Sequence, residues 1–212
     1  MISFLDYVQF CLDSNFIKYP KGHLKSIEPF IDSSIDQTIV DACEKYKGRT
    51  QFKNWEDLLS IIQIDPTIET VLFYRFERQI FLSDPENILL PYLASVMRRR
   101  TGAEIYYSTK IERGFNIQHG FGIIVGPRHE IGEYFTIHQG VTLGQKNLNS
   151  PNERIVIGNN VTIFANAIIL GNIKIGNNAK IGANSVLLKN VEENSVYVGV
   201  PAKRIKIASY ET

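Results

Sequence analysis

The chain has 212 residues, with 23 Lys and Arg against 22 Asp and Glu, and 44 % of its residues are apolar. The near-zero net charge argues against a nucleic-acid or anionic-membrane partner, and the apolar share allows an ordinary buried core. Cys11 and Cys43 are too few for a disulfide framework and lack metal-site spacing, so reduced thiols in helices are expected.

In chain order, the opening MISFLDYVQFCLDSNF carries early acidic residues and no uninterrupted apolar core, which makes it a poor signal peptide. No stretch is long and apolar enough to span a bilayer, and a cytoplasmic location is the default expectation. Apolar residues then recur at helical spacing in FLDYVQFCL, IVDACEKY, WEDLLSIIQI and ENILLPYLASVM. The breaks KYPKG, KGRTQ, SDPEN and RRRTG separate these runs. Asn54 and Asp65 stand where N-caps belong, and Pro66 takes a first helical position that suits its fixed φ. Residues 1–103 are expected to form an all-α domain of about four or five helices.

From Glu104 the helical period gives way to a period of six. Ile105, Ile111 and Ile117 follow it; so do Val125, Ile131, Ile137 and Leu143, and then Ile157, Ile163, Ile169, Ile175, Ile181 and Leu187. A second small or apolar position comes four residues later, as at Val161, Ala167, Ile173, Ala179 and Ser185. Gly and Asn cluster between, where tight corners require a left-handed backbone. Such a period predicts a left-handed parallel β-helix over 104–207, three six-residue units per coil, in an α+β chain with a short tail at 208–212. The register breaks between Ile117 and Val125, at His119-Gly120, and between Leu143 and Ile157, where QKNLNSPNER should protrude as a loop.

These repeats carry a resemblance. IERGFNIQHGFGIIVG, IGEYFTIHQGVTLG, ILGNIKIGNNAKIGANSVLLKNV and VGVPAK resemble the catalytic domain of bacterial serine acetyltransferases, and DPTIETVLFYRFERQ resembles a segment of their helical domain. The resemblance implies acetyl-CoA as donor, a homotrimeric solenoid with active sites between subunits, and helical domains that pair trimers into hexamers. It also implies a general base at His119, with Glu104 as the acid that orients it. A hydroxyl attacks a thioester only when a base takes its proton, an imidazole suits that task, and a carboxylate on its other nitrogen fixes the tautomer. Glu104 lies fifteen residues before His119, almost one coil below it. His138 either lines the site or stacks between coils, while His129 and His23 are expected at the surface. The histidine spacings do not match a trimer-interface metal site, so no metal is expected.

On the donor side, the small residues Gly144, Ala165 and Ala183 would let a pantetheine arm lie along the solenoid, and Lys180, Lys203 and Arg204 offer cations for the nucleotide phosphates. A backbone amide near Gly144 is a candidate for the oxyanion. The acceptor side departs from the family pattern. Gln118 stands where the family has an acid beside the histidine, and Asn152 and Glu153 stand where it has an Arg-His pair. Glu69 is the nearest counterpart of an acidic substrate contact in the helical domain, and Arg154 or Arg113 would have to supply the cation for a carboxylate.

L-serine is placed first as acceptor because the helical domain resembles that family. A sugar, nucleotide sugar or polysaccharide is the alternative; neutral groups at Gln118, Asn147, Asn149 and Asn152 and an aromatic platform at Tyr134 or Phe121 would suit it. A non-catalytic hexapeptide scaffold is the alternative of another class. A polar Thr212 in place of a terminal isoleucine predicts no tight complex with the next enzyme of cysteine synthesis.

Overall fold

A computed structural model describes residues 2–15, 17–47, 51–147, 149–150 and 152–205. Five α-helices come first: α1 (Phe4–Ser14), α2 (Ile31–Lys45), α3 (Trp55–Ile62), α4 (Pro66–Ser83) and α5 (Leu90–Thr101). Local chemistry sets their ends. Ser3 and Asp6 form a reciprocal capping box on α1, Asn54 caps α3, and Asp65 caps α4 with Pro66 at its first position. Gly102, at φ +69°, ends α5 in the left-handed conformation after three arginines that suit a helix C-terminus. Residues Lys21–Phe30, expected partly as a break, instead form a 3₁₀ helix that seats Leu24 and Ile27 in the core.

The second part is a parallel β-helix with three faces. The first face holds Glu104–Ile105, Ile124–Val125, Thr142–Gly144, Ile168–Leu170 and Val186–Leu187; the second holds Lys110–Ile111, Glu130–Ile131, Val156–Ile157 and Lys174–Ile175. The third holds Asn116–Gln118, Thr136–His138, Thr162–Ile163, Lys180–Ile181 and Val196–Val198, closed by the antiparallel strand Lys203–Ile205. Every residue of the six-residue series points inward and is buried, from Ile105 to Leu187. Each coil thus buries its apolar column on the next, as the period requires.

The strand register locates both expected insertions. Glu104 pairs with Ile124 and Thr142 with Ile168, wider steps than the eighteen residues from Ile124 to Thr142. A third irregularity is not visible in the six-residue series. Ile175 bridges Val191 and Lys180 pairs with Val196, so the last coil is two residues short.

The helical domain covers the end of the solenoid where its first coil begins. That coil has no coil beneath it, and its backbone groups need other partners. Side chains of α2 and α4 supply them. The Asp41 carboxylate accepts from the Gly114 and Phe115 amides at 2.7 and 2.9 Å, and Arg75 donates to the Ile111 and Glu112 carbonyls. Asp41 and Arg75 pair at 2.8 Å, both buried. The Tyr74 hydroxyl donates to the Thr109 carbonyl and accepts from the Ile111 amide.

Candidate active site

His119 lies on the edge where the third face turns into the first. Its φ is +65° and that of Gly120 is +68°, so two consecutive left-handed residues swing the imidazole outward. His119 is exposed and Gly120 is buried against α4, where a Cβ would sit 3.1 Å from the Thr67 methyl. His138 pairs in register with Gln118 and lies against Phe164, ring centroids 5.0 Å apart and planes tilted by 33°. Burial first, and then the neighbouring His119, draws the His138 pKa below the usual imidazole value, which favours a neutral ring beside the candidate base.

The same edge continues upward through Gln139-Gly140, Ala165-Asn166 and Ala183-Asn184, each corner hydrogen-bonded to the one below. Gly140, at φ +70°, has no room for a side chain: a Cβ would stand 2.0 Å from the Asn166 amide oxygen. From His119 to Ala183 is three coil rises, about 14 Å at ~4.8 Å each. The Gln139 side-chain oxygen is buried here without a hydrogen-bond partner among the described residues. Lys180 and Lys203 stand on the outer side of the third face nearby. Arg204 instead pairs in register with Tyr197, whose hydroxyl donates to Glu192, at the end of the solenoid.

Other predicted residues gather elsewhere. Gly144 ends a strand of the first face, and the segment carrying Asn147, Asn149, Asn152, Glu153 and Arg154 leaves from the opposite side of that face. Glu153 braces this loop by accepting from the Lys146 and Asn147 amides, and Arg154 pairs with Glu130 of the second face at 2.6 Å. Arg113 and Tyr134 meet at the edge between the second and third faces. Of the two aromatic platforms, only Phe121 adjoins His119, and it is highly exposed. Gln118 donates to Asn116 at 3.1 Å.

Glu104 begins the first face directly under Ile124, and its carboxylate pairs with Arg98 at 3.3 Å. No hydrogen bond joins it to His119 among the described residues. Glu69 is buried and already partnered: Oε1 accepts from the Tyr7 hydroxyl and from Arg100 Nε, each at 2.5 Å. Burial and the adjacent Glu69 push the Tyr7 phenol well up. These groups line a cavity of about 580 Å³ with Phe10, Leu59 and Pro66. Arg100 and Tyr7 carry no sequence signal, since one sits in a basic break and the other in an ordinary helical stripe.

His129 lies inside the solenoid and not at its surface. Expected at the surface, it is 1 % exposed. Its Nδ1 accepts from the Ile155 amide at 3.1 Å, which leaves Nε2 protonated to donate to the Leu143 carbonyl at 3.3 Å. The six-residue period explains this, because His129 follows Val125 by four and so falls in the inward series.

The family model for the bacterial transferase hexapeptide (six repeats) matches residues 154–189. A serine acetyltransferase of Synechocystis sp. is 38 % identical over 157 residues, covering 72 % of this chain and 60 % of the relative. The chain spans about half to three-fifths of the length of the first curated relatives it matches. The crystal structure of the Neisseria gonorrhoeae serine acetyltransferase superposes over 100 % of this chain and 82 % of its own, with a TM-score of 0.78 and 28 % identity. A serine acetyltransferase solved in complex with CoA matches 97 % of this chain and 86 % of its own, at TM-score 0.75 and 28 % identity. The chain thus carries the bacterial transferase hexapeptide over residues 154–189 and is similar to serine acetyltransferases across both of its parts.

Proposed function

We propose that this protein is an acetyl-CoA-dependent O-acetyltransferase acting on the hydroxyl of L-serine. The observation that carries the reading is His119, an exposed imidazole on a left-handed corner at the foot of an edge built from small residues. In this reading His119 takes the acceptor hydroxyl proton as the oxygen bonds to the thioester carbonyl carbon. The tetrahedral oxyanion then collapses, the C–S bond breaks, and the imidazolium returns its proton to the departing thiolate. Glu104 serves as the orienting acid once it exchanges Arg98 for the ring. That partly exposed ion pair is worth only about 0–1 kcal/mol, so the exchange is inexpensive.

The donor fits the same edge. Gly140, Ala165 and Ala183 leave its corners low, the orphaned Gln139 oxygen offers an acceptor for an amide N–H, and Lys180 and Lys203 suit phosphates. Gly144 and Arg154, on the far side of the first face, join such a site only from a neighbouring subunit, which is why a homotrimer, and trimers paired through the helical domains, belong to this proposal. Glu69, Glu153 and Gln118 stay on the acceptor side of the proposal, and no residue is assigned to a metal. The expectation about a complex with the next cysteine-synthesis enzyme falls on residues 206–212, which lie outside the described residues. No helix among the described residues is long and apolar enough to cross a membrane.

The test is thiol release from acetyl-CoA with L-serine and, in parallel, with sugars and nucleotide sugars. Serine-dependent release that drops roughly a hundredfold or more in His119→Ala, with CoA affinity retained, is expected. Release with a sugar alone would overturn the acceptor, and absence of CoA binding at millimolar ligand would leave the scaffold reading.

A further inference from the structure

Lys45 closes α2 with its ammonium group half way between the two domains. Nζ donates to the Ile117 carbonyl at 2.9 Å, pairs with Asp65 Oδ2 at 2.8 Å and donates to the Thr67 hydroxyl. Its side chain is 12 % exposed and that of Asp65 16 %. Asp65 and Thr67 are the N-cap and second residue of α4; the Tyr46 hydroxyl donates at 2.6 Å to the same Asp65 Oδ2 that pairs with Lys45, and the Thr67 hydroxyl donates to Oδ1. Burial raises the Asp65 pKa, but hydrogen bonds from Lys45, Thr67 and Tyr46 outweigh it and hold the carboxyl below its usual range, so the cluster keeps its ion pair at neutral pH.

The position of this cluster matters more than its strength. Ile117 is the last inward residue before the insertion, two residues ahead of His119, and its carbonyl is held by Lys45. On the other side of His119, Gly120 packs on the Thr67 methyl. One network therefore grips the chain on both sides of His119, through a side chain of α2 and the first turn of α4. A non-glycine residue at φ +65° sits in a sparsely populated region and needs its surroundings to hold it there. The carboxylate expected to orient the ring, Glu104, is paired with Arg98.

We propose that Lys45 is a positioning residue for His119, the point through which the helical domain sets the orientation of the base. This rests on the reading of His119 as general base. A misplacement of about 1 Å at a reacting group costs on the order of a hundredfold in rate. Full-length Lys45→Met, Lys45→Arg and His119→Ala proteins are assayed for kcat and for the KM of acetyl-CoA and acceptor, with CoA affinity and near-UV circular dichroism as controls. Lys45→Met should lose roughly ten- to a hundredfold in kcat with the acetyl-CoA KM and CoA affinity unchanged, and Lys45→Arg should recover a large part of it. Wild-type kcat in Lys45→Met beside an inactive His119→Ala overturns the inference alone. So does a loss of kcat matched by equal losses of CoA affinity and tertiary signal, which marks a purely structural strut. An active His119→Ala overturns the base assignment and this inference with it.

Discussion

His129 ties both feet of the protruding loop, because the Leu143 carbonyl precedes the loop and the Ile155 amide follows it. The arrangement works only for the neutral ring, since Nδ1 must accept a hydrogen bond. Burial, aided by the Arg128 charge, pulls the His129 pKa below the usual imidazole value, and the Leu143 hydrogen bond offsets this only in part. The sign follows from linkage. A histidine with a depressed folded pKa contributes stability that is present above its unfolded value, about 6.5, and is lost as pH falls from there toward the folded value. The thermal midpoint should therefore decline as pH is lowered below about 6.5, and His129→Gln should flatten that dependence; a slope unchanged by the substitution would exclude the assignment. This residue also marks a limit of reading by neighbours. GPRHE is a polar string and reads as surface, whereas the four-residue offset from Val125 places His129 inside with Thr109, whose hydroxyl accepts from its backbone amide at 3.0 Å. Position in the period outweighed composition here. The proposed base, His119, stood out in the sequence because it lies in an insertion in a strict repeat.

Between elements, the first coil is finished by side chains rather than by another coil. Asp41 and Arg75 are nearly fully buried, and each spends its polar atoms on backbone groups of residues 111–115 as well as on its partner. Removing one member leaves the other charge and several backbone groups without compensation, which costs about 3–5 kcal/mol for a buried pair. Asp41→Ala should lower the stability measured by urea denaturation by that amount, and a loss under 1 kcal/mol would show that water replaces the carboxylate freely. The helices and the six-residue columns were readable because each rests on a period within a short window. The docking of one on the other was not, because Asp41 and Gly114 lie 73 residues apart and neither residue type announces the other. The same holds for Lys45 and Ile117, separated by 72. The 3₁₀ segment Lys21–Phe30 was missed because its tighter turn blurs the 3.6-residue stripe.

At the scale of the molecule the three faces differ. The second face presents Lys110, Glu112, Glu130 and Lys174 and suits water, while the first exposes Ile124, Ile168 and Leu188, an apolar surface that suits a second copy of the chain. His119 stands at one margin of that apolar face and the loop with Arg154 at the other. Within one subunit they cannot share an acceptor, because the width of the first face lies between them. In a trimer packed through this face, the loop of one subunit meets the His119 edge of the next. Spacing along a single chain cannot show such a pairing, which is why the sequence grouped His119 and Arg154 without a geometry to join them. Under the proposed function, Arg154→Ala should raise the serine KM roughly ten- to a hundredfold, the weight of one charge-assisted contact at about 1.5–3 kcal/mol, and leave the acetyl-CoA KM unchanged. The shared site adds a sharper expectation. His119→Ala and Arg154→Ala subunits, unfolded together and refolded as mixed oligomers, should turn over subsaturating serine faster than either parent, because some interfaces then combine an intact His119 with an intact Arg154. Each parent alone contains none. Mixed oligomers confirmed by mass that show only the average of the two parents would place both residues outside any common site.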